Sequence, residues 1–282
     1  KNILDSFDLP ANPRIAIGDK ALGETISGLH KLLPGATFIS ATDILRQMRV
    51  IKSEAEIDMM RKAGAITEAA FADVCKRLKH GMLELDVVTE VDYQLRRHGS
   101  LGPSFTTSLY CSGPDHPLMF GQREATWKRT LNPGVALLFD FGAILDGYCY
   151  DYGRTIFFGE PTAEYERMYK LVMDSQAAGI AALKAGSMTT AEADAAARQV
   201  IVDGGYGPEF RHRLGHAIGV DVHEPPFLTK TDKTVLKEGM IFTVEPSITQ
   251  FHTYSARVED CVVVRPDGGE PLTSGNQEMR VI

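Results

Sequence analysis

From Ser53 to Gly81 the chain alternates apolar and polar positions with helical period. Ile57, Met60, Ala63 and Ala70 recur on one face of a long helix. Ser53 followed by Glu56 has the form of a capping box, and Gly81 marks the stop. A second helix is predicted from about Asp86 to His98, closed by Gly99. Ahead of them, "PRIAIG" and "ATFIS" read as short strands around a helix over 21–33. This opening stretch, 1–48, reads as a partial N-terminal α/β segment, the remnant of a larger domain, and 49–282 as the main domain.

The pattern repeats. "LKHGMLELDVVTEVDYQLRRHGSLGPSF" from Leu78 and "LKAGSMTTAEADAAARQVIVDGGYGPEF" from Leu183 align without a gap at an offset of 105 residues. Gly81 falls on Gly186, Gly99 on Gly204 and Phe105 on Phe210, and Val91 and Leu95 keep their apolar character in Ala196 and Val200. An internal duplication of a helix pair followed by antiparallel strands is expected, which makes the fold class α+β. Duplicated folds commonly place a ligand site between their halves.

The strand pattern then carries charge where it should not. "LLFDFGAILDGYCYDYGRTIFFG" reads as a hairpin turning at Asp146-Gly147. With a two-residue turn, residue i faces residue 293 − i, so Asp140 faces Gly153 and Asp151 faces Gly142. Asp140 and Asp151 then share one largely buried face as diagonal neighbours. Two such carboxylates repel unless something positive lies between them. A metal ion would answer, and so would one Asp capping a turn while the other pairs with Arg154. The apolar strands "GMIFTVEPSI" and "SARVEDCVVV" likewise carry Glu245 and Glu259. Arg257 and Glu259 share a strand face, as a simple ion pair or as an arginine bracing a metal-bound carboxylate.

"RHRLGHAIGVDVHEPP" adds three of the chain's eight histidines, His212, His216 and His223. A spacing of seven would put His223 opposite His216 on one straight strand, so a bend is expected near Gly219, with Pro225-Pro226 fixing the exit. Four carboxylates with an imidazole suit Mn²⁺, Co²⁺, Fe²⁺ or Zn²⁺, and their charge of −4 would balance two divalent ions. Two such ions roughly 3.5–4 Å apart can share a water and polarise a carbonyl.

Composition narrows the classes. The net charge of −7 gives no basic footprint for nucleic acid. Cys75, Cys111, Cys149 and Cys261 are far apart without a CxxC pair, against a disulfide framework or a thiolate zinc site and in keeping with a reducing, cytoplasmic setting. No apolar run approaches a membrane span, and "KNILDSFDLP" is not a signal peptide.

Asp140, Asp151, His216 in "GHAIG", Glu245 in "TVEP" and Glu259 in "RVED" resemble, in order and type, the five metal ligands of the pita-bread metallopeptidases. That family includes methionine aminopeptidase, aminopeptidase P, prolidase and the metal-free creatinase. The resemblance runs from about Arg49 to the C-terminus, and "RVIKSEAEIDMMRKAG" is similar to the segment opening that domain. It implies the pita-bread fold and two divalent cations. Asp140 would hold one, His216 and Glu245 the other, and Asp151 and Glu259 would bridge them. It also implies attack by a metal-bridging hydroxide with Glu245 as proton shuttle, while His212 and His223 bind the substrate carbonyl and oxyanion and Arg257 holds Glu259. His212 and Arg257 are similar to the proline-cleaving branch, which implies Xaa-Pro dipeptides or short peptides as substrates and a homodimer. One position departs: Arg123 stands seventeen residues before Asp140, where that branch has a histidine, with His116 nearby as a candidate substitute for substrate binding. A metal-dependent hydrolase or lyase of the same fold, acting on a small non-peptide substrate, is the alternative.

Overall fold

The computed structural model describes residues 3–118, 128–273 and 277–282. It divides into two units, Lys1–Arg49 and Val50–Ile282. The first holds β1 (Arg14–Ile17), α1 (Gly23–Leu32), β2 (Thr37–Ser40) and α2 (Thr42–Arg49). Its two strands pair in parallel, from Arg14 opposite Thr37 to Ile17 opposite Ser40. Helix α2 is absent from the hydrophobic reading, and it buries none of its residues.

The second unit begins with α3 (Glu54–Cys75). Ser53 and Glu56 form the reciprocal capping box, and Ile57, Met60, Ala63 and Ala70 are buried with Phe71 and Val74. The helix ends six residues short of the expected stop at Gly81. Leu78 turns into the core instead, and the N–H of Gly81 donates to the Leu131 carbonyl at 2.9 Å. Burying that leucine and pairing that backbone outweigh another helical turn. Helix α4 (Glu84–Arg97) follows and closes at Gly99, whose φ of 103° suits glycine.

Two antiparallel sheets complete the unit. The first orders β15 (Arg280–Val281), β7 (Tyr152–Phe158), β4 (Val135–Phe141) and β3 (Ser108–Ser112), with only β15 running parallel to its neighbour. The second orders β14 (Gly268–Pro271), β13 (Asp260–Arg265), β10 (Ile241–Val244), β8 (Gly215–Ala217) and β9 (Glu224–Leu228). Helices α5 (Ala163–Ala181) and α6 (Thr190–Asp203) precede the second sheet as α3 and α4 precede the first. Each half has its own core. Phe71, Phe139, Phe141 and Tyr152 meet edge to face or tilted in one, and Tyr165, Val172, Phe242 and Val262 lie in the other. The duplicated α+β architecture read from the sequence is the one observed.

The hairpin keeps the expected register, with Asp140 opposite Gly153 and the short β5 (Ile144–Leu145) against β6 (Tyr148–Cys149). Asp146 at φ 48° and Gly147 at φ 86° make the tight turn, because both central positions need the left-handed region. Arg154 does not pair with either aspartate of the hairpin. Its Nη2 meets Asp260 Oδ1 at 2.7 Å, so the purely structural explanation of the two carboxylates falls away.

The two glutamate strands are broken where a continuous run was expected. Glu245 follows the end of β10, and Glu259 stands between β12 (Ser255–Arg257) and β13. Strand β12 pairs with β11 (Ser247–Thr249) in the register that joins β13 to β10, so the two segments stay partners and only the ladder is interrupted at the glutamates. An apolar pattern runs through such an interruption because both sides stay buried.

Gly142 lies where Asp151 leaves the hairpin. A Cβ there would overlap the Tyr150 carbonyl and stand 2.7 Å from Ser104 Oγ. Backbone cannot yield as a side chain tip can, so Gly142→Ala should cost about 4 kcal/mol or more, read as a lowered urea midpoint at unchanged slope.

Candidate active site

The expected donors meet in one cleft of about 640 Å³ between the two sheets, lined by Asp140, Asp151, His216, Glu245 and Glu259 together with His212, His223 and Arg257. Asp140 comes from the end of β4 and Asp151 from the return of the hairpin. Glu259 reaches them because its backbone pairs with Gly153, N–H to carbonyl at 2.8 Å. A Cβ on Gly153 would stand 2.7 Å from Glu259 Oε2, so the missing side chain is what admits the glutamate.

His216 lies on β8 and is almost fully buried. Its Nε2 stands 3.5 Å from Asp151 Oδ2 and 3.6 Å from Glu245 Oε1. Asp151, His216 and Glu259 can each offer a donor atom within 4.8 Å of the others. The His216 and His223 rings are 4.2 Å apart. The bend between them is a hairpin turn through Gly219, with a register shift after His216. Pro225 and Pro226 lie inside β9 rather than at an exit from it.

Arg257 sits among the acids. Its Nη1 is 2.8 Å from Asp140 Oδ2, 3.3 Å from Glu245 Oε2 and 3.9 Å from Glu259 Oε2. One guanidinium does not balance four carboxylates. Burial, with Asp151 and Glu245 nearby, pushes the Asp140 carboxyl up to about 7 despite Arg257. Burial raises Glu259 further, and Asp151, Glu245 and Asp140 add to it. Burial also works to raise Glu245, but Arg257 and His216 overcome it and hold its carboxyl below the usual range. His216 is raised, since its contacts with Asp151 and Glu245 overcome burial.

The residues fit divalent cations. Among the described residues, the buried Asp151 Oδ1 and Glu259 Oε2 have no hydrogen-bond partner. Buried carboxylate oxygens are seldom left so, and hard oxygen donors beside one imidazole suit a small cation.

His212 is committed elsewhere. Burial and then Arg257 pull its pKa down to about 4, so the ring is neutral at neutral pH. Its Nδ1–H donates to the Arg213 carbonyl at 2.7 Å. Nε2 then accepts from Ser247 Oγ at 2.5 Å and faces Arg257 Nη2 at 3.3 Å. No ring N–H remains for a substrate. His223 is exposed on the cleft wall, and among the described residues its ring has no hydrogen bond or ion pair.

His116 does not line the cleft. It is buried with Nε2 at 2.6 Å from Glu84 Oε1, and Arg129 Nε is 2.9 Å from the same oxygen. Arg123 lies outside the described residues. Phe105, Ser108, Tyr110, Arg213 and Val222 also line the cleft and were missed in the sequence. Two of them had a signal: Ser108 and Tyr110 alternate on β3, and Ser108 pairs directly with Asp140. The duplication offered a further sign, since 105 residues separate Asp140 from Glu245.

A duplicated helix-and-sheet fold that buries this donor set defines a metallohydrolase. The model of metallopeptidase family M24 matches residues 58–266, and the chain belongs to that family. It is similar to a Xaa-Pro dipeptidase of Lactobacillus delbrueckii subsp. lactis, 36% identical over 257 residues that cover 90% of this chain and 68% of the relative. Among solved structures it is similar to the prolidase of Pyrococcus horikoshii OT3, at TM-score 0.86 and 32% identity, covering 94% of this chain and 75% of that one. A Xaa-Pro dipeptidase from Bacillus anthracis gives TM-score 0.86 and 31% identity, covering 95% and 74%. These neighbours carry the pita-bread fold that the sequence implied.

Proposed function

We propose that the protein is a dinuclear metal-dependent peptidase that hydrolyses Xaa-Pro dipeptides or short peptides. The observation that carries this is the convergence of Asp140, Asp151, His216, Glu245 and Glu259 on one cleft with two buried carboxylate oxygens unsatisfied. The names of the relatives support the substrate class. Asp140 would hold one cation, His216 and Glu245 the second, with Asp151 and Glu259 shared. Bound Mn²⁺, Co²⁺, Zn²⁺ or Fe²⁺ supplies Lewis acidity for the scissile carbonyl and cancels the carboxylate charge.

The chain's own groups do the rest. Glu245, ionised at neutral pH, accepts the proton of the attacking water and returns it to the leaving nitrogen. His223, with its ring unengaged, donates to the oxygen where negative charge develops. His212 cannot do this with both nitrogens occupied, so we assign it to holding Arg257, which in turn positions Asp140 and Glu245.

A second reading has one observation behind it. With His116 held by Glu84, the cleft lining contains only His212, His216 and His223 among the described residues. A small non-peptide substrate, taken by hydrolysis or lyase chemistry, would suit such a site. A screen of Xaa-Pro dipeptides with Mn²⁺ and Co²⁺ separates the two. Turnover of at least one dipeptide is expected, and none from protein shown to bind two cations would overturn the peptidase reading.

A further inference from the structure

His223 poses a placement problem. Its ring has no hydrogen-bond or ion-pair partner among the described residues, so apart from the His216 ring 4.2 Å away it is the backbone beneath it that sets where it points. That backbone belongs to the turn between β8 and β9. What holds the turn is a buried ion pair. Lys52, the residue before the cap of α3, places Nζ 3.2 Å from Glu224 Oε2, with side chains 2% and 8% exposed. Glu224 is the neighbour of His223 in the chain. Its second oxygen accepts from the N–H of Asp221 at 3.1 Å, so one carboxylate spans the turn from Asp221 to Glu224.

The rest of the turn closes on the same lysine. A Cβ on Gly219 would stand 2.8 Å from Lys52 Cε and 3.1 Å from Glu224 Oε2, so a side chain there would press on the ion pair itself. Gly219 N–H donates to the Asp221 carbonyl at 3.1 Å, and the Gly219 carbonyl accepts from Cys149 N–H at 2.8 Å. That second bond ties the turn to the hairpin that returns as Asp151. Lys52 is fixed in turn, its N–H donating to the Gly239 carbonyl at 2.8 Å. A lysine is almost never buried unless paired, and breaking such a pair costs more than the pair gains. Such a device makes sense where a position, rather than stability, is at stake.

We propose that the Lys52–Glu224 pair is the positioning device for His223, and that Lys52 is a positioning residue of the active site acting through the turn 219–223. It rests on the peptidase reading only for the catalytic role of His223. The geometric claim stands on the turn itself. A misplacement of about 1 Å in a positioned group can cost on the order of 100-fold in rate.

The test compares Lys52→Met with the wild type on Ala-Pro in Mn²⁺. Turnover should fall on the order of 100-fold with the bound metal unchanged. In a His223→Ala background the same substitution should cost less than about 3-fold, because the group it positions is gone. An equal loss in both backgrounds would overturn the proposal. A second readout needs no activity. The imidazole nitrogen resonances of His223 should shift or broaden in Lys52→Met while those of His212 hold, and unchanged His223 resonances would overturn it too. If the wild type cleaves no peptide, the peptidase reading fails and this readout alone decides. If Lys52→Met does not fold, the neutral pair Lys52→Met with Glu224→Gln replaces it. The glutamine oxygen can still accept from Asp221. Displaced His223 resonances are expected there, and wild-type resonances would sink the idea.

Discussion

Glu245→Gln should lower turnover by about 10²–10⁴-fold while the protein stays folded. The carboxylate is buried, yet Arg257 and His216 keep it ionised against the pull of burial. It therefore has a lone pair to take a proton and a cationic neighbour, Arg257 Nη1 at 3.3 Å, to hold it in place. Glutamine keeps the size and an oxygen donor but cannot accept the proton. Some stability should be lost, because the Arg257 and His216 charges that favour the ionised carboxylate no longer meet one. The kcat of the metal-saturated variant on a cleaved dipeptide is the measurement. Wild-type turnover would remove Glu245 from proton transfer.

Metal removal should produce the second large effect, and its size should depend on pH. In the metal-free protein Asp140 is pushed up to about 7, Glu259 is raised by burial and by the acids around it, and His216 is raised above 6.5. Each group holds its proton more tightly folded than unfolded. Its stabilisation is full below the unfolded pKa and is lost as pH rises through the folded one. His212, lowered to about 4, works the other way below 6.5, as does His223, so the directions conflict in that range. Above about pH 6.5 Asp140, Glu259 and His216 act together, and the metal-free protein should lose thermal stability up to about pH 8. Cations compete with those protons, so the loaded protein should not follow. At a thousand-fold excess over Kd, one bound ion adds about 4 kcal/mol. That corresponds to a Tm gain of about 10 °C for a unit of this size. Melting curves with chelator and with Mn²⁺ at several pH values check this. A gap that narrows as pH rises would contradict it.

The sequence revealed the donors because charge inside an apolar run is conspicuous. Asp140, Glu245 and Glu259 each interrupt a strand that otherwise reads as core, and the Asp146-Gly147 turn set the register that joins Asp140 to Asp151. The repeat exposed the two-part architecture by its glycines. Other features had no legible one-dimensional trace. Helix α2 carries Ile44, Leu45 and Met48 at helical spacing, but its eight residues fall short of the window in which such a period can be read. The early end of α3 depends on a partner, Leu131, fifty residues further along the chain. His116 sits near the right place in the sequence, but Glu84 and Arg129 draw it away, and only folding brings those three together. The tautomer of His212 follows from the Arg213 carbonyl beside it, a contact that residue types do not announce.

The pairing of Gly153 with Glu259 also fixes a timetable. Asp140 and Asp151 lie on a local hairpin, while Glu259 is contributed by a segment more than a hundred residues later. At about 5–20 residues per second, a ribosome would display the two aspartates for about 5–20 s before their last partner emerged. Until His216 follows, 65 residues after Asp151, the nascent chain offers a cation two carboxylates, without the imidazole or either glutamate. Capture of the wrong ion from the surroundings is therefore weakest when the polypeptide is least finished. The order of synthesis becomes part of how the protein comes to hold its metal.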